Sequence, residues 1–385
     1  MKRIALVTTS RAEYGIQSRL IRMLQDDPDI DFRLVVSGTH LSEKHGMTWR
    51  QIEADGIVIS EKVDIGIDNT ESVPYIMAVA LEKFADILAS IKPDIVVLLG
   101  DRYEMLSVAL ACTLNNIPIA HIHGGETTEG AVDEVFRHSI TKAAYLHFTS
   151  CEEYRRRVIQ LGEAPNRVFN VGSLGVENIS HIDFIGKREL ADTLGIIFSP
   201  RNFLVTFHPV TMEERTASEQ TKELLSALEM LDNSTIVFTH PNADREGDVI
   251  AGLIESFVSK HPKTYLFKSL GIRRYFSLMK FVNAVIGNSS SGIIETPSLG
   301  VPTVNIGDRQ KGRMQAPSII NCAPICSDIS KAIQEAESLD FRNICSKAVN
   351  PYAKDGTANQ ILYELKRNDL SVGLKKEFFD VDFSL

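Results

Sequence analysis

Residues 119–138 read "IAHIHGGETTEGAVDEVFRH" and place two histidines and several carboxylates directly after an apolar run. Histidine and carboxylate side chains often carry protons in enzymes near neutral pH. If the apolar run is a strand, His121 and His123 lie two residues apart on one side of it. The glycine pair 124–125 lets the backbone turn tightly and approach a ligand. We therefore predict that His123 and Glu126, at the strand tip, act in catalysis and that His121 is structural.

The segment "DEVFRH" (133–138) has the spacing of a helix that continues this site. Side chains four residues apart share a helix face, which predicts a pair between Asp133 and Arg137. A second pair, between Glu134 and His138, is expected to be ordinary helix pairing. Asp133 lies in the first turn, where it is expected to reach a bound ligand.

Asp101 and Arg102 follow the apolar run "VVLLG", at the end of another predicted strand. A carboxylate in this position can exchange protons with a ligand, or it can cap the helix that follows. The residues alone leave both roles open for Asp101. They also leave Arg102 either as an anion contact or as a solvated side chain.

A second group of polar residues, "GNSSSGIIE" (287–295), indicates a strand that runs into a helix N-terminus. Free N–H groups and hydroxyls at such a terminus bind anions, which makes Ser289 and Ser290 candidates. Glu295, about one turn further on, is placed to accept hydrogen bonds from a ribose diol. The segment is not a Walker A loop, because no Gly-Lys-Ser/Thr follows, and a simple serine-rich cap is the competing interpretation.

Cations and histidines at further strand ends extend this group. The segment "GDRQKGR" supplies Arg309, Lys311 and Arg313, and three cations near a helix N-terminus indicate a diphosphate. Further candidates for phosphate or sugar contacts are Arg11, after the first predicted strand, and His208 and His240, each after a strand near the middle of the chain.

The elements that must position these residues alternate along the chain, as short apolar runs between longer amphipathic stretches. Such alternation is typical of βαβ units and of parallel sheets buried on both faces. Strands are predicted at 3–9, 32–38, 94–100, 117–123, 145–150, 167–172, 203–208, 234–240, 264–269, 283–289 and 301–307. Helices are predicted at 14–26, 71–90, 103–115, 132–144, 216–231, 246–260, 273–280, 291–299 and 356–368.

The alternation pauses after residue 172, which predicts two doubly wound, Rossmann-like α/β domains, 1–172 and 173–385. Residues 173–200 are predicted to form the connection, and 356–368 a helix that closes the second domain. Ligands of open parallel sheets bind at the carboxyl ends of the strands. Two such ends facing a central cleft would enclose one ligand, with acids from the first domain and phosphate-binding groups from the second.

The composition of the chain excludes several classes of partner and cofactor. A net charge of −9 over 385 residues argues against nucleic acid or an anionic membrane as the main partner. The N-terminus does not have the pattern of a signal peptide, and the five scattered cysteines suggest reduced thiols, so we expect a cytoplasmic protein. Neither a ligand-spaced Cys/His cluster nor a GxGxxG motif is present, so we expect neither a metal nor NAD, and no other cofactor.

The ordered series "GDRYE…HIHGGE…GAVDEVFRH…HPVT…GNSSSGIIE…GDRQKGR" resembles the UDP-N-acetylglucosamine 2-epimerases, and most closely their hydrolysing branch. The resemblance covers nearly the whole chain and implies a two-domain fold of the glycosyltransferase-B type. It implies a reaction in which a base removes the C2 proton of the sugar and UDP leaves C1. Water then adds to the 2-acetamidoglucal, and protonation of C2 on the other face releases N-acetylmannosamine.

The resemblance also implies roles for particular residues. Asp101 matches the aspartate of the family's Gly-Asp-Arg motif, Asp133 matches an acid before an Arg-His pair, and His208 matches a histidine that reaches sugar or phosphate. The UDP-binding positions are matched by Ser289, Ser290 and Glu295. Some members carry Glu where this chain has His123, so the role of that Glu passes either to Glu126 or to His123 itself.

Alternatives remain open from sequence. Hydrolysis of UDP-N,N'-diacetylbacillosamine, on the way to legionaminic acid, would use the same chemistry and the same UDP site. A non-hydrolysing epimerase, a glycosyltransferase on the same fold and an inactive nucleotide-sugar sensor are further alternatives. The resemblance implies a homodimer or a homotetramer.

Overall fold

The computed structural model describes residues 1–70, 72–129, 132–210, 217–241, 246–369 and 375–382. Strands and helices alternate through these residues, as the sequence pattern predicts. The strands are β1 (Lys2–Thr8), β2 (Ile30–Ser37), β3 (Glu61–Val63), β4 (Ile95–Leu99), β5 (Ile119–Ile122), β6 (Leu146–Thr149), β7 (Val168–Asn170), β8 (Arg201–Thr206), β9 (Ser234–Thr239), β10 (Thr264–Phe267), β11 (Ala284–Gly287), β12 (Thr303–Ile306) and β13 (Ile319–Cys322). The helices are α1 (Arg11–Asp26), α2 (Trp49–Ala54), α3 (Val73–Ile91), α4 (Tyr103–Leu114), α5 (Asp133–Ala143), α6 (Glu152–Gln160), α7 (Leu174–Ser180), α8 (Lys187–Leu194), α9 (Ala217–Glu229), α10 (Gly247–Lys260), α11 (Gly271–Met279), α12 (Ser290–Ile294), α13 (Cys326–Glu337), α14 (Leu339–Lys347) and α15 (Thr357–Arg367).

The first sheet has the strand order β3-β2-β1-β4-β5-β6-β7, and all of its pairs are parallel. The winding direction reverses between β1 and β4, and the carboxyl ends beside such a reversal form the usual ligand site of an open α/β sheet. Asp101 follows β4, and His123 follows its neighbour β5. The topology therefore brings two separately predicted strand ends to one edge.

The second sheet has the order β10-β9-β8-β11-β12-β13, again with parallel pairs. Its winding reverses between β8 and β11. His208 follows β8, and Asn288 with the adjoining serines follows β11. The second group of predicted residues thus also lies beside a reversal point.

Apolar residues cover both faces of each sheet, because helices pack on both sides. Along β1, Ile4 and Leu6 belong to one buried cluster, whereas Ala5 and Val7 belong to another. This alternation follows from the two-residue period of a strand. Because both faces are buried, the strand appears in sequence as a continuous apolar run.

The chain divides into two compact units. The first contains Met1–Glu126, Asp133–Asn178 and Lys354–Leu385, and the second contains Thr127–Val132 and Ile179–Ala353. The C-terminal helix therefore belongs to the first unit, which corrects the predicted assignment of 356–368 to the second domain.

The reason for this placement is the apolar face of α15. Ala358, Ile361 and Leu365 are fully buried in the same core cluster as Ile4 and Leu6. The Thr357 hydroxyl also donates to the carbonyl of Val171 at 2.7 Å. An amphipathic helix packs wherever an apolar surface receives it, which the sequence of the helix does not specify.

Some elements differ from the prediction. The predicted helix 291–299 is a short helix, α12, followed by a 3₁₀ turn at Thr296–Leu299, since Pro297 cannot continue an α-helix. The edge strands β3 and β13 and the helices α2, α6, α13 and α14 were not predicted, and α7 and α8 lie within the predicted connection 173–200. Among the residues that the structure describes, no helix is long and apolar enough to cross a membrane.

Candidate active site

Arg137 is the centre of a group of polar residues in the first unit. Its Nη2 donates to Asp101 Oδ2, and its Nη1 donates to Glu134 Oε2 at 2.7 Å and to the carbonyl of Glu126 at 3.1 Å. The Arg137 side chain is 1% exposed, and a buried guanidinium requires such partners. We call Asp101, His123, Glu126, Glu134 and Arg137 the acid–base cluster.

Glu126 lies in a different environment from Asp101. Its side chain is 4% exposed, whereas that of Asp101 is 28% exposed. The Ser150 hydroxyl donates to Glu126 Oε1 at 2.7 Å, and His123 Nδ1 lies 3.6 Å from the same oxygen. Asp101 is therefore partly exposed and paired with a buried guanidinium, while Glu126 is buried beside a hydroxyl and an imidazole.

The backbone of His123 has φ +66°, in the left-handed region. This conformation is uncommon for a residue other than glycine, and residues held in sparsely populated backbone regions cluster at functional sites. The turn that follows requires glycine, because Gly125 has φ +77° and a Cβ there would lie 2.5 Å from the Tyr154 carbonyl oxygen. The strand tip is thus held in a strained shape that directs His123 and Glu126 toward each other.

His121 is structural, as predicted. The Gly100 carbonyl can only accept, so His121 Nε2 donates to it at 2.8 Å, and Nδ1 lies 3.1 Å from the Thr141 hydroxyl. Burial lowers the pKa of His121 to about 3. The ring is therefore neutral at physiological pH and links β5 to the end of β4.

The helix α5 begins at Asp133, which is half-buried. The predicted pair of Glu134 with His138 is confirmed, with 3.0 Å between Glu134 Oε1 and His138 Nε2. Glu134 also joins Arg137, so a single guanidinium connects Glu134 of this helix to Asp101.

Arg102 is bound to carboxylates of its own unit. Its Nη2 lies 2.7 Å from Glu104 Oε1, and its Nε lies 4.0 Å from Glu13 Oε1. Burial raises the pKa of Glu13 to about 7, against the opposing effect of the Arg102 charge. The predicted phosphate contact of Arg102 stays a prediction, and Arg11 lies exposed at the first position of α1.

Asn288 organises the polar residues of the second unit. Its Oδ1 accepts from the backbone N–H of His208 at 2.7 Å, and its Nδ2 donates to the His208 carbonyl at 2.8 Å. The Asn288 carbonyl accepts from Arg309 Nη1 at 3.1 Å and from Gln310 Nε2 at 2.9 Å. One fully buried asparagine thereby joins the ends of β8 and β11 to the loop after β12.

The side chain of His208 is buried in this arrangement. Burial lowers its pKa well below the ordinary value, and the nearby Arg309 charge lowers it further. A neutral imidazole at this position can donate one hydrogen bond and accept another.

The segment after β11 has the predicted strand-to-helix shape. The Ser289 hydroxyl accepts from the N–H of Ser291 at 3.4 Å and caps α12, which begins at Ser290. Gly287 has φ +134°, and a Cβ there would collide with the Thr206 carbonyl. Glu295 follows α12 and is 9% exposed. We call His208, Asn288, Ser289, Ser290, Glu295 and Arg309 the Asn288 cluster.

Two further predicted residues of the second unit are His240 and Arg313. His240 follows β9, where its N–H donates to the Phe267 carbonyl at 3.0 Å, and it is half-buried. Arg313 lies after Gly312 in the loop that follows β12 and is half-buried. Parts of the motifs "GAVD", "HPVT" and "THPNADRE", at residues 130–131, 211–216 and 242–245, lie outside the described residues.

Sequence reasoning missed three residues of this arrangement. The sequence pattern indicates Arg137 only as a helix partner of Asp133, and it does not distinguish Asn288 between a glycine and a serine. Ser150, the partner of Glu126, follows β6. Asn288 and Ser150 lie at the ends of predicted strands, which could have identified them as candidates. No local pattern identifies Arg137 as buried.

Known proteins match this chain over nearly its whole length. A family model described as UDP-N-acetylglucosamine 2-epimerase matches residues 22–366. The chain is 43% identical to the polysialic acid biosynthesis protein P7 of Escherichia coli, over 92% of this chain and 91% of the relative. It is 39% identical to a Campylobacter jejuni protein described as a hydrolysing GDP/UDP-N,N'-diacetylbacillosamine 2-epimerase, over 99% of both chains.

Solved structures show the same fold. The crystal structure of UDP-GlcNAc 2-epimerase from Neisseria meningitidis bound to UDP-GlcNAc matches with a TM-score of 0.81, covering 96% of this chain and 100% of that one, at 18% identity. A protein from Listeria monocytogenes matches with a TM-score of 0.80 at 17% identity, covering 95% of this chain and 96% of that one. The predicted glycosyltransferase-B type of fold, with two parallel-sheet α/β domains, is therefore confirmed. Together with the sequence matches, these observations show that the chain is an enzyme of the UDP-N-acetylglucosamine 2-epimerase family.

Proposed function

We propose that the protein is a hydrolysing 2-epimerase that converts UDP-N-acetylglucosamine and water into UDP and N-acetylmannosamine, the first step toward sialic acids. The observation that carries the proposal is the pair of unlike carboxylates at neighbouring strand ends. Asp101 is paired with Arg137, whereas Glu126 is buried beside Ser150 and His123. Carboxylates in separate environments suit a reaction that needs both a base and an acid.

The proposed reaction has two stages. In the first, a carboxylate removes the C2 proton while the C1–O bond breaks and UDP departs, which leaves a 2-acetamidoglucal. In the second, water adds its oxygen to C1 and C2 receives a proton on the opposite face. Asp101, Glu126 and Asp133 are the proposed proton carriers, and His123 is the alternative to Glu126.

The Asn288 cluster is proposed to bind the UDP leaving group. Arg309, with Arg313 and Arg11 as further cations, would stabilise the diphosphate, and neutral His208 would donate to a sugar or phosphate oxygen. The hydroxyls of Ser289 and Ser290 would contact the phosphates, while Glu295 would accept from the ribose diol. Arg102 and His240 are further candidates for contacts to the same diphosphate.

The relatives support hydrolysis over simple epimerisation. The Campylobacter jejuni relative and a Legionella pneumophila relative, 32% identical over 95% of both chains, are both described as hydrolysing enzymes. Both act on diacetylbacillosamine nucleotides by description. UDP-N,N'-diacetylbacillosamine is therefore the second candidate substrate, and the P7 relative favours the sialic acid route.

Proton NMR in D₂O distinguishes these possibilities. The protein would be incubated separately with UDP-N-acetylglucosamine, UDP-N,N'-diacetylbacillosamine and GDP-N,N'-diacetylbacillosamine. Free UDP with N-acetylmannosamine deuterated at C2 supports the proposal. A persistent mixture of two UDP-sugars indicates a non-hydrolysing enzyme. Turnover of a diacetylbacillosamine nucleotide alone would show that this nucleotide, and not UDP-N-acetylglucosamine, is the substrate. Full activity in Asp101→Asn would overturn the role given to that residue.

We also propose that the enzyme works in the cytoplasm as a homodimer or a homotetramer. Light scattering at the assay concentration tests the oligomeric state. A monomeric mass in an active sample would contradict this proposal.

A further inference from the structure

A segment near the C-terminus, residues 375–382, crosses the ends of two helices in the first unit. Lys376 Nζ donates to the carbonyls of Lys142 at 2.6 Å and Ala144 at 2.8 Å. The same ammonium lies 2.8 and 2.9 Å from the two carboxylate oxygens of Glu163. The last carbonyls of a helix have no partner within the helix, so Lys376 caps the C-terminal end of α5. We call residues 375–382 the strap.

The strap also attaches to the end of α6. The N–H of Phe379 donates to the Gly162 carbonyl at 2.9 Å. Gly162 has φ +88°, and a Cβ there would collide with the ring of Phe378. Lys142 Nζ lies 4.7 Å from the centre of that ring and donates to the Leu161 carbonyl at 3.1 Å. The ends of α5 and α6 are therefore fastened to the strap and to each other.

Glu163 is the anchor of this arrangement and is fully buried. It accepts from Lys142 at 2.8 Å and lies 3.2 Å from His147 Nε2, in addition to Lys376. Burial by itself would raise the pKa of Glu163, but the hydrogen bonds from His147, Lys142 and Lys376 lower it to about 2. A buried carboxylate needs such partners, and the loss of Lys376 leaves Glu163 with Lys142 and His147.

Both helices support the acid–base cluster. The helix α5 carries Arg137, which binds Asp101. The helix α6 carries Arg157, whose Nη1 donates to the Gly125 carbonyl at 2.6 Å, next to Glu126. The close packing of Gly125 on the Tyr154 backbone adds a second contact between α6 and the strand-tip turn.

We propose that the strap positions the acid–base cluster by fixing the C-terminal ends of α5 and α6, with Lys376 as its positioning residue. This inference rests on the proposed 2-epimerase function. Loss of the Lys376 ammonium leaves two carbonyls of α5 uncapped and releases the strap from Glu163. The helices then lose part of their restraint, and small displacements of reacting groups reduce turnover strongly.

The test compares Lys376→Met with Lys375→Met, which removes a neighbouring, exposed lysine of the same strap. Assays are run at a temperature well below the unfolding temperature of each variant. In Lys376→Met we expect kcat to fall about tenfold, while the dissociation constant for UDP stays within about twofold of the wild-type value. Amide hydrogens of residues 123–126 and 133–144 should exchange about tenfold faster. Lys375→Met should match the wild type, and Lys376→Arg should recover part of the kcat.

Two results would overturn the inference. One is a kcat within twofold of the wild type in Lys376→Met. The other is unchanged amide exchange in residues 123–126 and 133–144, whatever happens to the unfolding temperature. The exchange measurement needs no substrate, so it tests the strap even if the proposed substrate is wrong. Wild-type protein inactive on all three nucleotide sugars would instead count against the proposed function.

Discussion

The guanidinium of Arg137 donates to Asp101 across 36 residues of sequence and links α5 to the end of β4. It also contacts Glu134 and the Glu126 carbonyl, so three parts of the acid–base cluster depend on one buried cation. Removing this cation takes from Asp101 and Glu134 the positive charge that they share.

For Arg137→Met we expect kcat to fall about 100-fold, because Asp101 loses the group that orients it. The free energy of unfolding should fall by about 3 kcal/mol, the usual cost of breaking a buried pair. Steady-state release of UDP and urea unfolding measure the two effects. Arg33→Met, which breaks the more exposed pair with Asp31, is the matched control and should change neither. Wild-type kcat in Arg137→Met would contradict the role given to Arg137.

Glu126→Gln should reduce kcat by about 100-fold or more, because an amide cannot exchange the C2 proton. Ser150→Ala removes only the hydroxyl that orients Glu126 and should cost about tenfold. Incorporation of deuterium at C2, followed by NMR, is the direct measurement. Ser139→Ala removes an exposed hydroxyl from α5 and serves as the control. If the Glu126→Gln variant incorporated deuterium at the wild-type rate, the role of proton carrier at C2 would be assigned to His123 instead of Glu126.

Asn288→Ala should weaken UDP binding about tenfold, since the His208 backbone loses both hydrogen bonds that hold it. The free energy of unfolding should also fall by about 1–3 kcal/mol, because buried polar groups are left unsatisfied. Titration calorimetry with UDP provides the affinity. Asn321→Ala, at an exposed asparagine of β13, should leave UDP affinity unchanged. Equal affinities in the two variants would exclude Asn288 from nucleotide binding.

Acid should destabilise the protein partly through His121. Burial lowers its pKa in the folded state to about 3, whereas the unfolded chain has an ordinary histidine pKa of about 6.5. Below about pH 6.5 the unfolded state binds a proton that the folded state does not. Stability therefore falls with decreasing pH, by up to about 1.4 kcal/mol per pH unit.

His121→Gln removes this contribution, so its free energy of unfolding should fall less steeply than that of the wild type between pH 6.5 and 4.5. Urea unfolding at several pH values measures the difference between the slopes. Glu13 acts in the opposite direction, since its pKa of about 7 means that the folded state holds the extra proton between about pH 4.5 and 7. Because the wild type and the His121→Gln variant both contain Glu13, its contribution cancels when their slopes are compared. Parallel slopes would show that His121 does not take part.

The sequence alone determined the strand-end chemistry and the sheet architecture. Apolar runs separated by amphipathic stretches predicted two parallel sheets, because strands buried on both faces must be apolar throughout. Motifs that directly follow those runs predicted His123, Glu126 and Ser289 at strand ends, because a few residues of local sequence determine where a strand stops. The same local patterns found His121 to be structural.

Only the tertiary structure decided which distant groups meet. Arg137 reaches Asp101 because α5 packs beside α4 and β5. The helix α15 joins the first unit because its apolar face completes that core. The strap caps α5 for a similar reason, since Lys376 finds two uncapped carbonyls and a buried carboxylate in one place. Such contacts depend on how helices pack on a sheet, and the periodicity of a helix specifies which face is apolar but not which surface receives it.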